Sequence, residues 1–336
     1  MTEFIDLFCG AGGLSIGLEG AGFKCSAAVE INRDACETFV IRHPGAFVYD
    51  HSIERINFSK YRDIPLLAGG PPCQPFSAGG NGLAFADARN MIPEFVRAVR
   101  EARPVSFLME NVPGLISPSH RDYLQSVIIE LNQLGYTIAT EVLNAANYGV
   151  PQKRRRLLVV GVRRGMLPFE FPVPTHGDPA SNPFVSAGSV ISAVVPADEA
   201  NESTITYAKR PDMRPSPYDG HLFNGGGRAI NLDTPCPTIL ASAGGNKTHF
   251  VDQMQEVPTY HQHLQRGGAP RVGTLPGGRR LTVRESAQMQ TFPQDMRFHG
   301  SRSSQYAQVG NAVPPLLAQA LGIELLATLR RSSASR

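Results

Sequence analysis

The chain has 336 residues, 42% hydrophobic and 18% charged, enough apolar material for about two globular domains and too balanced for a disordered polyelectrolyte. A net charge of +3 neither demands nor excludes a nucleic-acid partner, so the local runs Lys153-Arg154-Arg155-Arg156 and Arg279-Arg280 say more than the total. Five cysteines, at 9, 25, 36, 73 and 236, have no CxxC spacing, which argues against a disulfide framework or a zinc site. There is no N-terminal signal peptide and no apolar run close to the roughly 20 residues that span a bilayer, so a soluble cytoplasmic protein is expected.

From residue 3 to about 162, short β-rich apolar runs alternate with helical stretches. Strands are predicted at 4–8, 25–30, 65–68, 106–110 and 156–162, and helices at 14–20, 33–42 (behind an Asn32 cap), 91–102 and 121–134. That alternation predicts a doubly wound, Rossmann-like α/β sheet. After about 165, Pro and Gly become dense, as in Asn224-Gly225-Gly226-Gly227, and helical periodicity fades. A smaller, irregular, β- and loop-rich domain is expected there, with a strand near 238–240. Thr282-Val283-Arg284-Glu285 reads as a capping box opening a helix to about 290. A last helix, from Pro315 to about 330, carries the apolar stripe Leu317, Ala320, Leu321 and Leu325, which one helix cannot bury alone. The expected division is 1–170 plus 302–336 as one domain and 171–301 as the other, with the last helix returning to the first.

Chemistry concentrates at strand ends. Asp6-Leu7-Phe8-Cys9-Gly10-Ala11-Gly12-Gly13 puts a glycine turn directly after the first strand, where such sheets bind ligands. Glu30 ends the second strand about 20 residues on, the place of an acid that binds ribose hydroxyls. Ser15 occupies the third glycine position of G-x-G-x-x-G, which weakens a nicotinamide reading and favours an adenosyl cofactor with a different tail. In Gly69-Gly70-Pro71-Pro72-Cys73-Gln74-Pro75-Phe76-Ser77, three prolines stiffen the loop around Cys73, a setting for a nucleophile more than for an inert core thiol. Glu110, before Asn111-Val112-Pro113-Gly114, ends another strand at the same rim and adds a carboxyl for acid-assisted nucleophilic catalysis. The arginine run at 153–156 and the turn Gly310-Asn311-Ala312-Val313-Pro314-Pro315 are bland when taken singly.

Together the ordered set DLFCGAGGL, VEIN, GGPPCQPFS, ENVPG, QKRRR, RRLTVRESAQMQTFP and VGNAVPP, spread over residues 6 to 315, resembles the DNA (cytosine-5) methyltransferases of bacterial restriction-modification systems. The resemblance implies that Phe8, Gly10 and Gly12 bracket S-adenosylmethionine, with Glu30 on the ribose and Asn311 closing the pocket. Asp50 is the nearest acid to the position that binds the adenine amino group, although His51-Ser52-Ile53 shifts the alignment by a residue or two. Cys73 matches the nucleophile that attacks carbon 6 of a flipped-out cytosine, Glu110 the group at ring N3, and Arg156 with Arg154 the basic pair near O2. No metal is implied. Two other readings carry less weight. The tRNA methyltransferases of this fold carry a Cys-Phe-Thr motif that is absent here, and a catalytically inactive DNA-binding homologue would not need Cys73, Glu110 and Arg156 together. The expected partner is double-stranded DNA, with bases read from about 171–280 by candidates such as Arg228, Asn246, Lys247 and Thr248. A stand-alone, monomeric bacterial or phage enzyme follows, with a cognate restriction endonuclease acting separately on the same site.

Overall fold

The structure, a computed structural model, describes residues 1–72, 90–178, 180–192, 194–211, 227–245 and 248–334. Cys73, Asn246 and Lys247 lie outside the described residues. The chain forms two compact units. One comprises Met1–Gly149, Arg155–Thr175 and Ala312–Arg336; the other comprises Val150–Arg154 and His176–Asn311.

The first unit begins with β1 (Thr2–Leu7), α1 (Gly13–Gly20), β2 (Phe23–Val29), α2 (Arg33–Arg42) and β3 (Phe47–Tyr49). It continues through β4 (Leu66–Gly69), α3 (Ile92–Ala102), β5 (Ser106–Asn111), α4 (Arg121–Gln133) and β6 (Tyr136–Asn144). After β7 (Gln152–Lys153), which belongs to the second unit, β8 (Arg155–Arg163) completes a seven-stranded sheet in the order β3-β2-β1-β4-β5-β8-β6. The first five strands are parallel, and β8 runs antiparallel to both of its neighbours. Strands buried on both faces read as continuous apolar runs, which is why β1, β4 and β5 stand out in the sequence. The order turns at β1 and β4: the chain leaves β1 toward β2 and β3, then returns to place β4 on the other side. Ligands of such sheets bind outside the carboxyl ends at that turning point.

The last helix, α8 (Pro315–Ala334), buries Leu317, Ala318, Leu321 and Leu325 in this unit. It meets α1 at backbone distance. A Cβ on Gly17 would lie 2.3 Å from the Pro315 carbonyl oxygen, and one on Gly322 would lie 2.7 Å from the Ala21 Cβ. Arg302–Ala334 has the length and apolarity of a bilayer span, but α8 spends its stripe on this packing.

The second unit holds β9 (Arg228–Ala229), β10 (Cys236–Pro237), β11 (His249–Asp252), α5 (Glu256–Gln265), β12 (Gly278–Arg280), α6 (Val283–Met289) and α7 (Arg302–Asn311). Its sheet runs β12-β11-β9, β10 pairs with β7, and Ile205, Phe250, Val257 and Leu275 form a small core. The capping box is present: Glu285 N donates to Thr282 Oγ1 and Thr282 N donates to Glu285 Oε2, each at 3.0 Å. One expectation is corrected. The strand sits at Cys236–Pro237 and not at 238–240, because β7 pairs there and the Ile239 amide donates to a side chain. Within the second unit, the Tyr306 hydroxyl of α7 donates to the Leu281 carbonyl. Arg279-Arg280 is an internal pair. Arg279 forks onto Glu285 at 2.7 and 2.8 Å, while Arg280, 1% exposed and with its pKa lowered by burial, donates to the Thr248 carbonyl.

Candidate active site

The loop after β1 is shaped by three residues in the left-handed region: Phe8 (φ 61°), Gly10 (φ 54°) and Gly12 (φ 84°). Only glycine takes that conformation cheaply, so the non-glycine Phe8 stores strain at this point. The two glycines have different reasons to be glycine. A Cβ on Gly10 would meet nothing within 4 Å, leaving open space for a ligand against the backbone. A Cβ on Gly12 would lie 2.8 Å from His43 Nε2 and 3.0 Å from the Phe39 ring, so its bareness serves the packing of α1 on α2. Glu30 pins the loop: Gly10 N donates to Oε2 at 2.9 Å, while Ile31 N and Asn32 N donate to Oε1 at 2.9 and 2.7 Å. One lone pair of Oε2 stays available to a hydroxyl donor. Ile31, 70% exposed beside this carboxylate, is an apolar platform that the sequence did not single out. Pairing of Val29 with Tyr49 places Glu30 and the exposed Asp50 at adjacent strand ends, and Glu30 N donates to the Tyr49 carbonyl at 3.0 Å.

On the other side of the turning point, Leu7 pairs with Gly69 and Gly69 with Met109, so the loops after β1, β4 and β5 start at one level. A Cβ on Gly70 would lie 3.1 Å from Glu110 Oε2, and the Pro71 carbonyl accepts from Asn111 Nδ2 at 3.2 Å. Met91 N donates to the Pro72 carbonyl at 3.1 Å, drawing together the two ends of the chain that flank 73–89. Glu110 is 8% exposed and its Oε1 takes Arg156 Nε at 2.7 Å. Arg156 Nη1 donates to the Arg155 carbonyl, and Glu110 Oε2 bonds to no described residue. The pair is held at a strand end with acceptor and donor capacity left over.

The run Gln152-Lys153-Arg154-Arg155-Arg156 alternates: Lys153 and Arg155 are exposed, whereas Gln152, Arg154 and Arg156 turn inward. Arg154 and Arg156, expected as a pair, have different settings. Arg154 belongs to the second unit, is 1% exposed and donates to the carbonyls of Ile239 and Gly310. Asn311 is the last residue of that unit and of α7. Of the candidate base readers, Arg228 is half-buried on β9, and the Thr248 hydroxyl lies 2.6 and 2.7 Å from the carbonyls of Ala243 and Gly245 within its own turn.

A family model of C-5 cytosine-specific DNA methylases matches residues 2–327. The chain belongs to that family. It is 32% identical to the Type II methyltransferase M.XorII of Xanthomonas oryzae pv. oryzae, with 97% of this chain and 85% of that one covered. It is 30% identical to the Type II methyltransferase M.NgoMIV of Neisseria gonorrhoeae, with 98% of each covered. Solved structures of a Spodoptera frugiperda DNMT2 mutant and of the S. pombe Dnmt2 methyltransferase are similar, both with a TM-score of 0.71, at 19% and 15% identity. They cover 98% and 97% of this chain and 100% and 99% of their own, and at such identities the likeness is one of fold. The α/β Rossmann-like methyltransferase fold expected from the strand–helix alternation is the one found. The protein is an enzyme that transfers a methyl group from S-adenosylmethionine to carbon 5 of cytosine in DNA.

In this methylase the described cysteines sit where burial disfavours the thiolate. Cys9, Cys25, Cys36 and Cys236 are buried. Burial pushes the thiols of Cys9, Cys25 and Cys236 well above the ordinary value, and that of Cys36 up to about 12. Asp6 went unnoticed in the sequence beyond its place in the motif. It is fully buried beneath the loop, where Oδ2 accepts from Ser15 Oγ at 2.6 Å and Oδ1 has no hydrogen-bond partner among the described residues. Burial raises its carboxyl to about 7, with the nearby Glu30 adding to the shift. Folding therefore holds a proton that the unfolded chain releases near pH 4, and wild-type stability falls as pH rises toward 7 and levels off above it. Asn at this position cannot titrate. Between about pH 5 and about pH 8 the wild type is expected to lose about 3 kcal/mol relative to Asp6→Asn, read from urea unfolding. A stability difference that does not move with pH contradicts the assignment.

Proposed function

We propose that the methylase acts on one specific sequence of double-stranded DNA in the cytoplasm of a bacterial cell. As a monomer it flips the target cytosine out of the helix and attacks carbon 6 with Cys73. The observation that carries this reading is the Glu110–Arg156 ion pair, fixed at the end of β5 and one strand away from the Pro72 carbonyl that precedes Cys73.

When bound, S-adenosylmethionine supplies an electrophilic methyl carbon on a sulfonium. The residues present fit it. Gly10 leaves the loop backbone bare, Glu30 offers an acceptor to a ribose hydroxyl, Ile31 offers an apolar face to the adenine, and Asp50 stands at the next strand end. Phe8 and Gly12 shape the loop, and Asn311 is the residue that the family resemblance adds to the cofactor.

At the base, the Cys73 thiolate forms a bond from Sγ to carbon 6, and the electron pair of the ring double bond moves toward N3 and O2. Glu110 holds a proton at N3 and the Arg156 cation faces O2, so charge is stabilised where it develops. Carbon 5, now nucleophilic, would take the methyl, the methyl–sulfur bond of the sulfonium breaking to leave a neutral thioether. The carbon 5 proton then passes to a base, the bond from carbon 6 to Sγ breaks and the thiolate returns. A stacked cytosine exposes neither carbon 6 to a thiol nor N3 to a carboxyl, hence the flip. The second unit reads the sequence, and the exposed Lys153 and Arg155 are free to meet phosphates. A restriction endonuclease cutting the unmethylated form of the same site is the partner in function.

Expression in a host free of cytosine methylation, followed by bisulfite sequencing, tests the reading. Full 5-methylcytosine at one short sequence and nowhere else is expected. Methyl groups on an exocyclic nitrogen, or in tRNA and not in DNA, overturn it.

A further inference from the structure

The buried guanidinium of Arg154 has been left without a chemical task. Two of its hydrogen bonds lie within the second unit, on the carbonyls of Ile239 and of Gly310 at the carboxyl end of α7. A helix leaves its last four carbonyls without intrahelical donors. In α7 two of these are claimed by side chains from far away in sequence: Arg154 Nη2 donates to the Gly310 carbonyl at 3.0 Å, and Gln290 Nε2 donates to the Val309 carbonyl at 2.9 Å. A cation at this end also opposes the helix dipole. Gln152 locks the arrangement by donating to Gln290 Oε1 at 3.1 Å and to the Met289 carbonyl at 3.2 Å. Its Oε1 accepts the Ile239 amide at 2.9 Å, and Arg154 Nη1 takes the Ile239 carbonyl at 3.2 Å. Behind the helix end the main chain is pressed flat: a Cβ on Gly310 would lie 2.3 Å from both Ala241 N and the Leu240 carbonyl carbon. The next residue is Asn311.

From this we infer that Arg154 is a positioning residue that clamps the carboxyl end of α7, fixing Asn311 for the cofactor, and does not contact the cytosine. The inference rests on the reading of Asn311 as a cofactor residue. It departs from the expectation that Arg154 and Arg156 share the ring oxygen, because the Arg154 guanidinium is 1% exposed and spends both of its Nη atoms on main-chain carbonyls. The same clamp grips Ile239, so the turn before Asn311 and the segment after β10 are set by one side chain.

Lysine keeps the charge but cannot fork onto two carbonyls. Arg154→Lys is expected to weaken S-adenosylmethionine binding about tenfold or more by calorimetry, as loss of an orienting outer contact does. Its single-turnover rate at saturating cofactor should stay within about threefold of wild type. Gln290→Leu, which frees the neighbouring carbonyl, should move cofactor affinity in the same direction. Arg156→Lys should do the reverse, lowering the rate with cofactor affinity unchanged. An Arg154→Lys enzyme that follows the Arg156 pattern overturns the inference. If that variant does not fold, Gln290→Leu decides alone, and unchanged affinity overturns it. Wild-type protein that binds no S-adenosylmethionine takes down the cofactor reading itself, whereas wild-type binding with both variants unaffected takes down only the clamp.

Discussion

Cys73→Ser enzyme is expected to lose turnover by a factor on the order of 10⁴ or more, and to form no covalent complex with 5-fluorocytosine DNA. Wild-type enzyme should form that complex in a manner dependent on S-adenosylmethionine. Carbon 5 of cytosine is a poor nucleophile until something adds at carbon 6, and a serine hydroxyl at neutral pH supplies almost no anion to do so. With fluorine in place of the carbon 5 hydrogen, addition and methyl transfer still proceed. The final step then needs fluorine to leave as a cation, which it does not do, so enzyme and DNA stay joined through Sγ. The other thiols form a built-in control. Cys9, Cys25, Cys36 and Cys236 are buried, and each is held above its ordinary pKa by desolvation. Denaturing electrophoresis shows the adduct and peptide mapping places it. An adduct on one of those four cysteines, or normal turnover by Cys73→Ser, removes the mechanism.

Much of this site was legible in the sequence because of how a parallel sheet is built. β1, β2, β4 and β5 are interior parallel strands with largely apolar runs, and the polar residues at their carboxyl ends mark that edge; Glu30 and Glu110 were singled out that way. The edge strands were missed for the same reason. β3 is three residues long, and β6 exposes Thr137, Thr140 and Glu141 between half-buried neighbours, so neither gives a clean run or a clean alternation. α7 was missed because Arg-Ser-Ser-Gln-Tyr-Ala-Gln-Val-Gly-Asn has scarcely any apolar face; polar contacts hold it, such as Gln308 on the His299 carbonyl. Arginine misled most. A run of cations reads as solvated surface, yet Arg154, Arg279 and Arg280 are internal donors to carbonyls and to one carboxylate, and no local pattern announces an acceptor 85 or 156 residues away. Arg154 lies in the break between β7 and β8 and Arg156 on β8, so the even spacing of the run hides a change of element.

Glu110→Gln and Arg156→Met are each expected to lower the single-turnover rate by about 10²–10³-fold, the usual loss when one preorganised group facing developing charge is removed. The double variant should be hardly slower than the worse single one. Non-additivity follows from the geometry: Arg156 Nε sits 2.7 Å from Glu110 Oε1, so each side chain orients the other, and either loss already spoils both contacts to the ring. Stability should report the same coupling differently. The side chains are 11% and 14% exposed, so either single change strands a nearly buried charge and costs about 3 kcal/mol, whereas the double change removes both charges and recovers part of that loss. The opposed directions separate catalysis from folding: the double variant is expected to be more stable than either single variant and no faster. Rates that multiply, with the double variant about 10⁴–10⁶-fold down, would mean that the two residues act on the ring independently. A rise in DNA KM with kcat unchanged in Arg156→Met would move that arginine from the ring to substrate binding.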